Sequence, residues 1–141
     1  IVAVVSGSME HNGLGFNAWW AENSEKYRIY NISKPDAQEW VLKNGFNKGD
    51  IIFLRKSDDM TKGDIIVFDG NSRNPIIHRI VKTWEEDGIN YYQTKGDNNK
   101  ISYPELGETE IHEENVIGKA IFKIPFLGWI KLFAVEVFGG M

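Results

Sequence analysis

The 141-residue chain is long enough to bury the core of one domain, and its 42% hydrophobic and 26% charged residues are ordinary for a globular protein. A net charge of −4 without a basic stripe argues against nucleic acid as the main partner. The absence of cysteine excludes disulfides, thiolate metal sites and a cysteine nucleophile, and the widely separated His11, His78 and His112 show no metal-ligand spacing, so no metal or other cofactor is expected.

Residues 1–5, Ile-Val-Ala-Val-Val, form a short β-branched run. It reads as a buried strand, or as the end of a membrane helix interrupted by the chain start. Ser6-Gly7-Ser8-Met9 follows. Gly7 suits a sharp turn, which would expose the Ser8 hydroxyl beside backbone N–H groups able to bind an oxyanion. Residues of about 12–45 read as an insertion of helical character. Phe16, Trp19 and Trp20 share one helical face, which predicts a helix over 14–24 whose aromatics cover the sheet, with contact to a membrane interface as the alternative. Ser33 is positioned to cap a second helix, with Pro35 in its first turn and Gly45 as its stop. Asn31-Ile32-Ser33 also fits the N-glycosylation pattern.

Lys48-Gly49-Asp50-Ile51-Ile52 recurs as Lys62-Gly63-Asp64-Ile65-Ile66. Each copy predicts a turn and then a strand, at 51–55 and 65–68, with Asp50 and Asp64 structural. A strand at 76–81 ending near Trp84, a turn within 85–88 and a return strand at 89–94 make a hairpin. If 85–88 is all loop, His78 pairs with Lys95; if only Asp87-Gly88 turns, it pairs with Asp97. Residues 95 and 97 share a face, so either register predicts a contact between His78 and Asp97. A polar loop at 102–112 precedes a last strand pair at 116–124 and 126–133, broken at Pro125. The apolar tail at 124–140 contains Lys131 and Glu136 and is too short and charged for a membrane span. The fold class is mostly β (α+β).

A serine hydroxyl needs a base to become a good nucleophile. Histidine titrates near neutrality, and a carboxylate on its far nitrogen fixes the tautomer. Ser8, His78 and Asp97 supply those roles in that chain order. Val5-Ser6-Gly7-Ser8-Met9-Glu10, the two Lys-Gly-Asp-Ile-Ile segments, Ile77-His78-Arg79 and Thr94-Lys95-Gly96-Asp97-Asn98-Asn99 occur in the order found in type I signal peptidases. With histidine in the place of a lysine base, the chain resembles the archaeal and endoplasmic-reticulum branch. Gly118-Lys119-Ala120 and Ile124-Pro125-Phe126-Leu127-Gly128 resemble that branch's closing segment.

The resemblance implies a signal-peptidase-type β fold in a single peptidase domain over 1–141, lacking an N-terminal transmembrane anchor. It implies a membrane serine endopeptidase that removes N-terminal signal peptides from exported preproteins, cutting after small residues on the extracytoplasmic or lumenal side. Ser8 would be nucleophile, His78 general base and Asp97 the acid, with the Ser8 N–H and the Ser6 hydroxyl at the oxyanion. The lipid bilayer and partner subunits join the preprotein as implied partners. The chain departs from the family at His11, where proline is usual, and at Tyr103, where many relatives carry a second aspartate. Glu105 and Glu108 lie further along, and Glu105 on a shifted loop could replace that acid; alternatively the Ser8–His78 dyad plus Asp97 could suffice. A Ser–Lys enzyme using Lys95 or Lys82, an inactive homologue that binds exported peptides, and a β-rich adaptor are the competing readings.

Overall fold

A computed structural model of the chain describes residues 1–126. Seven antiparallel strands form one sheet: β1 (Val2–Ala3), β2 (Ile51–Arg55), β3 (Ile65–Phe68), β4 (Ile76–Glu86), β5 (Ile89–Lys95), β6 (Ile111–His112) and β7 (Val116–Ile124). Their spatial order is β1-β2-β7-β3-β4-β5-β6. Three short helices, α1 (Phe16–Asn23), α2 (Glu25–Arg28) and α3 (Lys34–Gln38), lie between β1 and β2, where the helical insertion was expected. The architecture is therefore mostly β. The expected strand at 126–133 and the apolar tail fall almost wholly outside the described residues.

The two Lys-Gly-Asp segments fold alike. Gly49 and Gly63 take φ of 95° and 100°, and the next aspartate accepts a bond from the backbone three residues before it: Asn47 N–H to Asp50 at 2.8 Å and Thr61 N–H to Asp64 at 3.0 Å. Each carboxylate thus closes the turn that launches a strand.

In the insertion, Phe16, Trp19, Trp20, Tyr27, Ile32, Ala37 and Trp40 form a buried aromatic cluster that also takes in Val81 from β4. The aromatics cover the sheet rather than facing outward. Ser33 caps α3 in a reciprocal box with Asp36. The helix stops at Gln38, short of Gly45. The carbonyls of Val41 and Leu42 instead accept bonds from the Arg79 guanidinium at 2.8 and 3.0 Å, and Leu42 adopts φ 48°.

Val81 also alters the hairpin. The strand runs past Trp84 to Glu86, and only Asp87-Gly88 turns, with φ of 52° and 79°. Glu86 through Lys82 pair with Ile89 through Gln93, but the register then shifts so that Ile80 faces Thr94 and Arg79 faces Lys95. Val81 is the extra residue, a bulge held by its burial among the aromatics. The shift of one residue sends His78 and Asp97 to opposite faces, which neither expected register allowed.

Gly45, at φ 71°, lies directly under the residues that follow Ser8. A Cβ there would overlap the Met9 carbonyl and sit 2.5 Å from His11 Cδ2. Gly45→Ala is expected to lower stability by about 2–4 kcal/mol, through left-handed strain and overpacking. Urea unfolding checks this, and a wild-type midpoint would refute it.

Candidate active site

After β1 the chain is pinned to the first Lys-Gly-Asp turn by Val4 N–H to Asp50 O and Gly49 N–H to Val4 O. A turn closed by Glu10 N–H to Gly7 O then presents Ser8. Gly7 is not among the residues at positive φ, so the expectation that it uses glycine's special backbone freedom is corrected; the Glu10 carboxylate fills the space at its Cα. Met9 points inward and is buried with Val4, Phe46 and Ile52. From the other side, Asn98 N–H donates to Ser8 O at 2.8 Å and Asn98 Nδ2 to Gly7 O at 3.0 Å. Ser8 is therefore held through its own backbone on a turn anchored by core packing.

Ser8 Oγ lies 3.0 Å from His78 Nε2 and 3.1 Å from Ser6 Oγ. The Ser8 N–H reaches the same Ser6 oxygen at 3.4 Å. His78, on β4, is buried, and its Nδ1 lies 2.6 Å from Glu108 Oε1. Sequence reasoning did not select this glutamate. It is fully buried, accepting from Thr94 Oγ1 at 2.9 Å and, through Oε2, from Tyr103 N–H at 2.8 Å. Thr94 faces Ile80 across the hairpin and so shares the His78 face. The loop is fixed by the turn at Pro104–Leu106, by Gly107 at φ 75° and by Thr94 N–H to Glu108 O. With a carboxylate on Nδ1, that nitrogen carries the proton and donates. Nε2 is left with its lone pair toward the serine.

Asp97 is not on His78, which corrects the predicted contact. The Val81 bulge places it on the Arg79 face, where it accepts from Arg79 Nε and Nη2, each at 2.9 Å, from His11 Nε2 at 2.9 Å and from the Tyr27 hydroxyl at 3.3 Å. Burial opposes its charge, but the Arg79 guanidinium and the His11 bond outweigh it and hold the carboxyl well below the usual carboxylate range. Tyr27 is pushed well above the ordinary phenol value, first by burial and then by the Asp97 charge. Neither candidate lysine base reaches Ser8: Lys95 Nζ donates to Gly96 O and Asn99 O, and Lys82 Nζ lies over the Trp84 ring. Glu105 is exposed in the middle of the turn at 104–106, so it does not stand in for the missing acid.

A cleft of about 500 Å³ opens over the serine, walled by Val2, Val5 and Ser6 on one side and by Ile77, His78 and Tyr103 on the other. Among the described residues β1 ends the sheet and pairs with β2 alone, so its other backbone edge faces no described strand. Among the described residues no cluster of His, Cys, Asp and Glu could hold a metal, and no helix is long and apolar enough to cross a membrane.

No family model matches the chain. It is 33% identical over 102 residues to the signal peptidase complex catalytic subunit sec11 of Sclerotinia sclerotiorum. It is 30% identical over 101 residues to the SEC11 subunit of Scheffersomyces stipitis, and 28% over 102 residues to that of Verticillium alfalfae. Each match takes in 67% of this chain. The chain belongs to the signal peptidase family. It spans about three-fifths of the length of the curated relatives it matches.

Both departures from the usual signal peptidase pattern have a visible consequence. His11, in place of proline, is buried and stacked on Trp19 at 3.9 Å, and it donates to Asp97. Its Nδ1 has no hydrogen-bond partner among the described residues. Tyr103, in place of the second aspartate, brings no acid; its N–H positions Glu108 and the residue lines the cleft.

Proposed function

We propose that this chain is the serine endopeptidase of a signal peptidase, with Ser8 as nucleophile, His78 as general base and Glu108 as the acid that orients the base. The observation that carries the reading is the continuous line from Ser8 Oγ through the imidazole to Glu108, at 3.0 and 2.6 Å. As Ser8 Oγ attacks the scissile carbonyl, its proton passes to Nε2. The imidazolium that forms is held by the Glu108 carboxylate. The oxyanion takes the Ser8 N–H and the Ser6 hydroxyl, now turned on each other, as donors. His78 then returns the proton to the leaving amine, and a water attacks the acyl-enzyme by the same route.

The substrates of this reading are signal-peptide-bearing preproteins. A segment ahead of the cleavage site would lie extended along β1, adding backbone hydrogen bonds to its open edge, with small side chains in the cleft beside Ser8. The domain would work as a single unit over 1–141 at the extracytoplasmic or lumenal face of a membrane, with the bilayer and the other subunits of a complex as partners. No step requires a cofactor. The inactive-homologue reading rested on the acid missing at Tyr103, and Glu108 on His78 removes that support.

The test is covalent. A fluorophosphonate should label the wild-type protein at one serine and leave Ser8→Ala unlabelled, and a synthetic preprotein should be cut by the first and not by the second. A folded wild type that takes no label would return the chain to the peptide-binding class.

A further inference from the structure

The Lys95 side chain is fully buried, and the mechanism above gives it nothing to do. Its ammonium has a complete set of partners: the carbonyls of Gly96 and Asn99 at 2.7 and 2.8 Å, and the face of Tyr27 at 4.4 Å. Those carbonyls belong to the turn at 96–99, closed by Asn99 N–H to Gly96 O. The same turn bonds the backbone of the nucleophile through Asn98, to Ser8 O and Gly7 O. It also lies against Ser8: a Cβ on Gly96 would sit 2.8 Å from Ser8 O. Lys95 therefore ties the turn, and the turn ties Ser8.

We propose that Lys95 is a positioning residue for the peptidase reaction, its ammonium holding the 96–99 turn against the Ser8 carbonyl so that Oγ stays in line with His78, and that activity is lost when this ammonium gives up its proton. The inference rests on Ser8 being the nucleophile. A neutral amine keeps two N–H groups but loses the charge-assisted part of both carbonyl bonds and the attraction to Tyr27. A small displacement of a nucleophile costs far more in rate than in stability.

The proton is within reach of ordinary alkaline conditions. Burial pushes the Lys95 pKa down to about 8. Asp97 and Glu108 pull it upward, and Lys26 on α2 and Arg79 on β4 push it further down; Tyr27, the remaining titratable neighbour, stays neutral because its own pKa is raised. The linkage sign separates this loss from unfolding. A lysine whose folded pKa lies below its unfolded value binds fewer protons in the folded state between about 8 and 10.4, so the group's contribution to stability rises with pH across that window. Rate should fall where this group adds stability.

The experiment measures Ser8 labelling rate, and kcat and KM per labelled site, from pH 6 to 10 on the full-length protein, with urea stability alongside. For wild type, an alkaline fall centred near 8 without matching loss of stability is expected. Lys95→Met should lose roughly 10- to 100-fold in kcat at pH 7 with KM nearly unchanged, and show no further fall to pH 9.5. Lys95→Arg, which keeps its charge, should lack the fall near 8 as well. An alkaline fall that persists in Lys95→Met, or its absence in wild type, overturns the inference, and the wild-type arm stands even where the variants do not fold. Absence of label at Ser8 at every pH overturns instead the reading on which the inference rests, and the inference with it.

Discussion

Glu108→Gln is expected to lower kcat for the proposed preprotein cleavage by roughly two to four orders of magnitude while KM changes little. The reason lies in the partners of this side chain, all of which are donors. Oε1 accepts from Thr94 Oγ1 and lies on His78 Nδ1, and Oε2 accepts from Tyr103 N–H. A carboxylate serves all three; an amide cannot. With its oxygen toward His78, the amide NH2 faces the Tyr103 N–H, donor against donor. Turned round, it donates to Nδ1 and forces the proton to Nε2, where the imidazole can no longer accept from Ser8. In neither orientation is the imidazolium opposed by a charge. The loss is confined to the chemical step, because Glu108 is buried and does not line the cleft. Steady-state kinetics per labelled site measure it, and a rate within tenfold of wild type would remove Glu108 from the mechanism.

The predicted contact between His78 and Asp97 fails for a reason that local sequence does not display. The Ser6-Gly7-Ser8 turn, the strands, the Ser33 cap and the paired Lys-Gly-Asp turns are local patterns, each decided by neighbours within a few residues, and the structure holds a strand, a cap or a turn at each of those places. The partner of His78 depends on pairing between strands, and there a single residue decides the answer. Val81 looks like one more apolar residue in a β-branched run, Ile76-Ile77-His78-Arg79-Ile80-Val81. Its burial among Phe16, Trp19 and Trp40 makes it a bulge instead, and the slip places Asp97 on the face of Arg79. That cluster assembles from residues at 16–40, far earlier in the chain, so hairpin arithmetic has no access to it. Glu108 is hidden for a different reason. Its place behind His78 follows from the path of the loop through Pro104 and Gly107, and nothing in its spacing from Asp97 sets it apart from Glu105. The sole hint was chemical: a histidine base needs an acid, and Tyr103 could not be it.

Asp97→Asn should act on the fold more than on the chemistry, with a stability loss of about 3–5 kcal/mol. Asp97 and Arg79 are both fully buried, and they neutralise one another where water cannot reach. Removing the anion leaves a guanidinium whose remaining acceptors are the carbonyls of Val41, Leu42 and Gly63. The amide also puts donors among donors, since Arg79, His11 and Tyr27 all point protons at this carboxylate. The sign with pH follows from the lowered carboxyl pKa. The folded state holds fewer protons than the unfolded one as pH falls through the unfolded value of about 4, so this contribution is complete above that pH and drains away below it. Urea midpoints at pH 7 and pH 3 should therefore lie closer together in Asp97→Asn than in wild type. At a temperature where the variant stays folded, kcat per labelled site should fall by no more than about 100-fold, the range expected of Lys95→Met, because Asp97 lies in the turn that holds Ser8 but the Ser8–His78–Glu108 line does not pass through it. The reverse pattern, wild-type stability with kcat lost by a factor of a thousand, would return Asp97 to the role that the hairpin register first suggested.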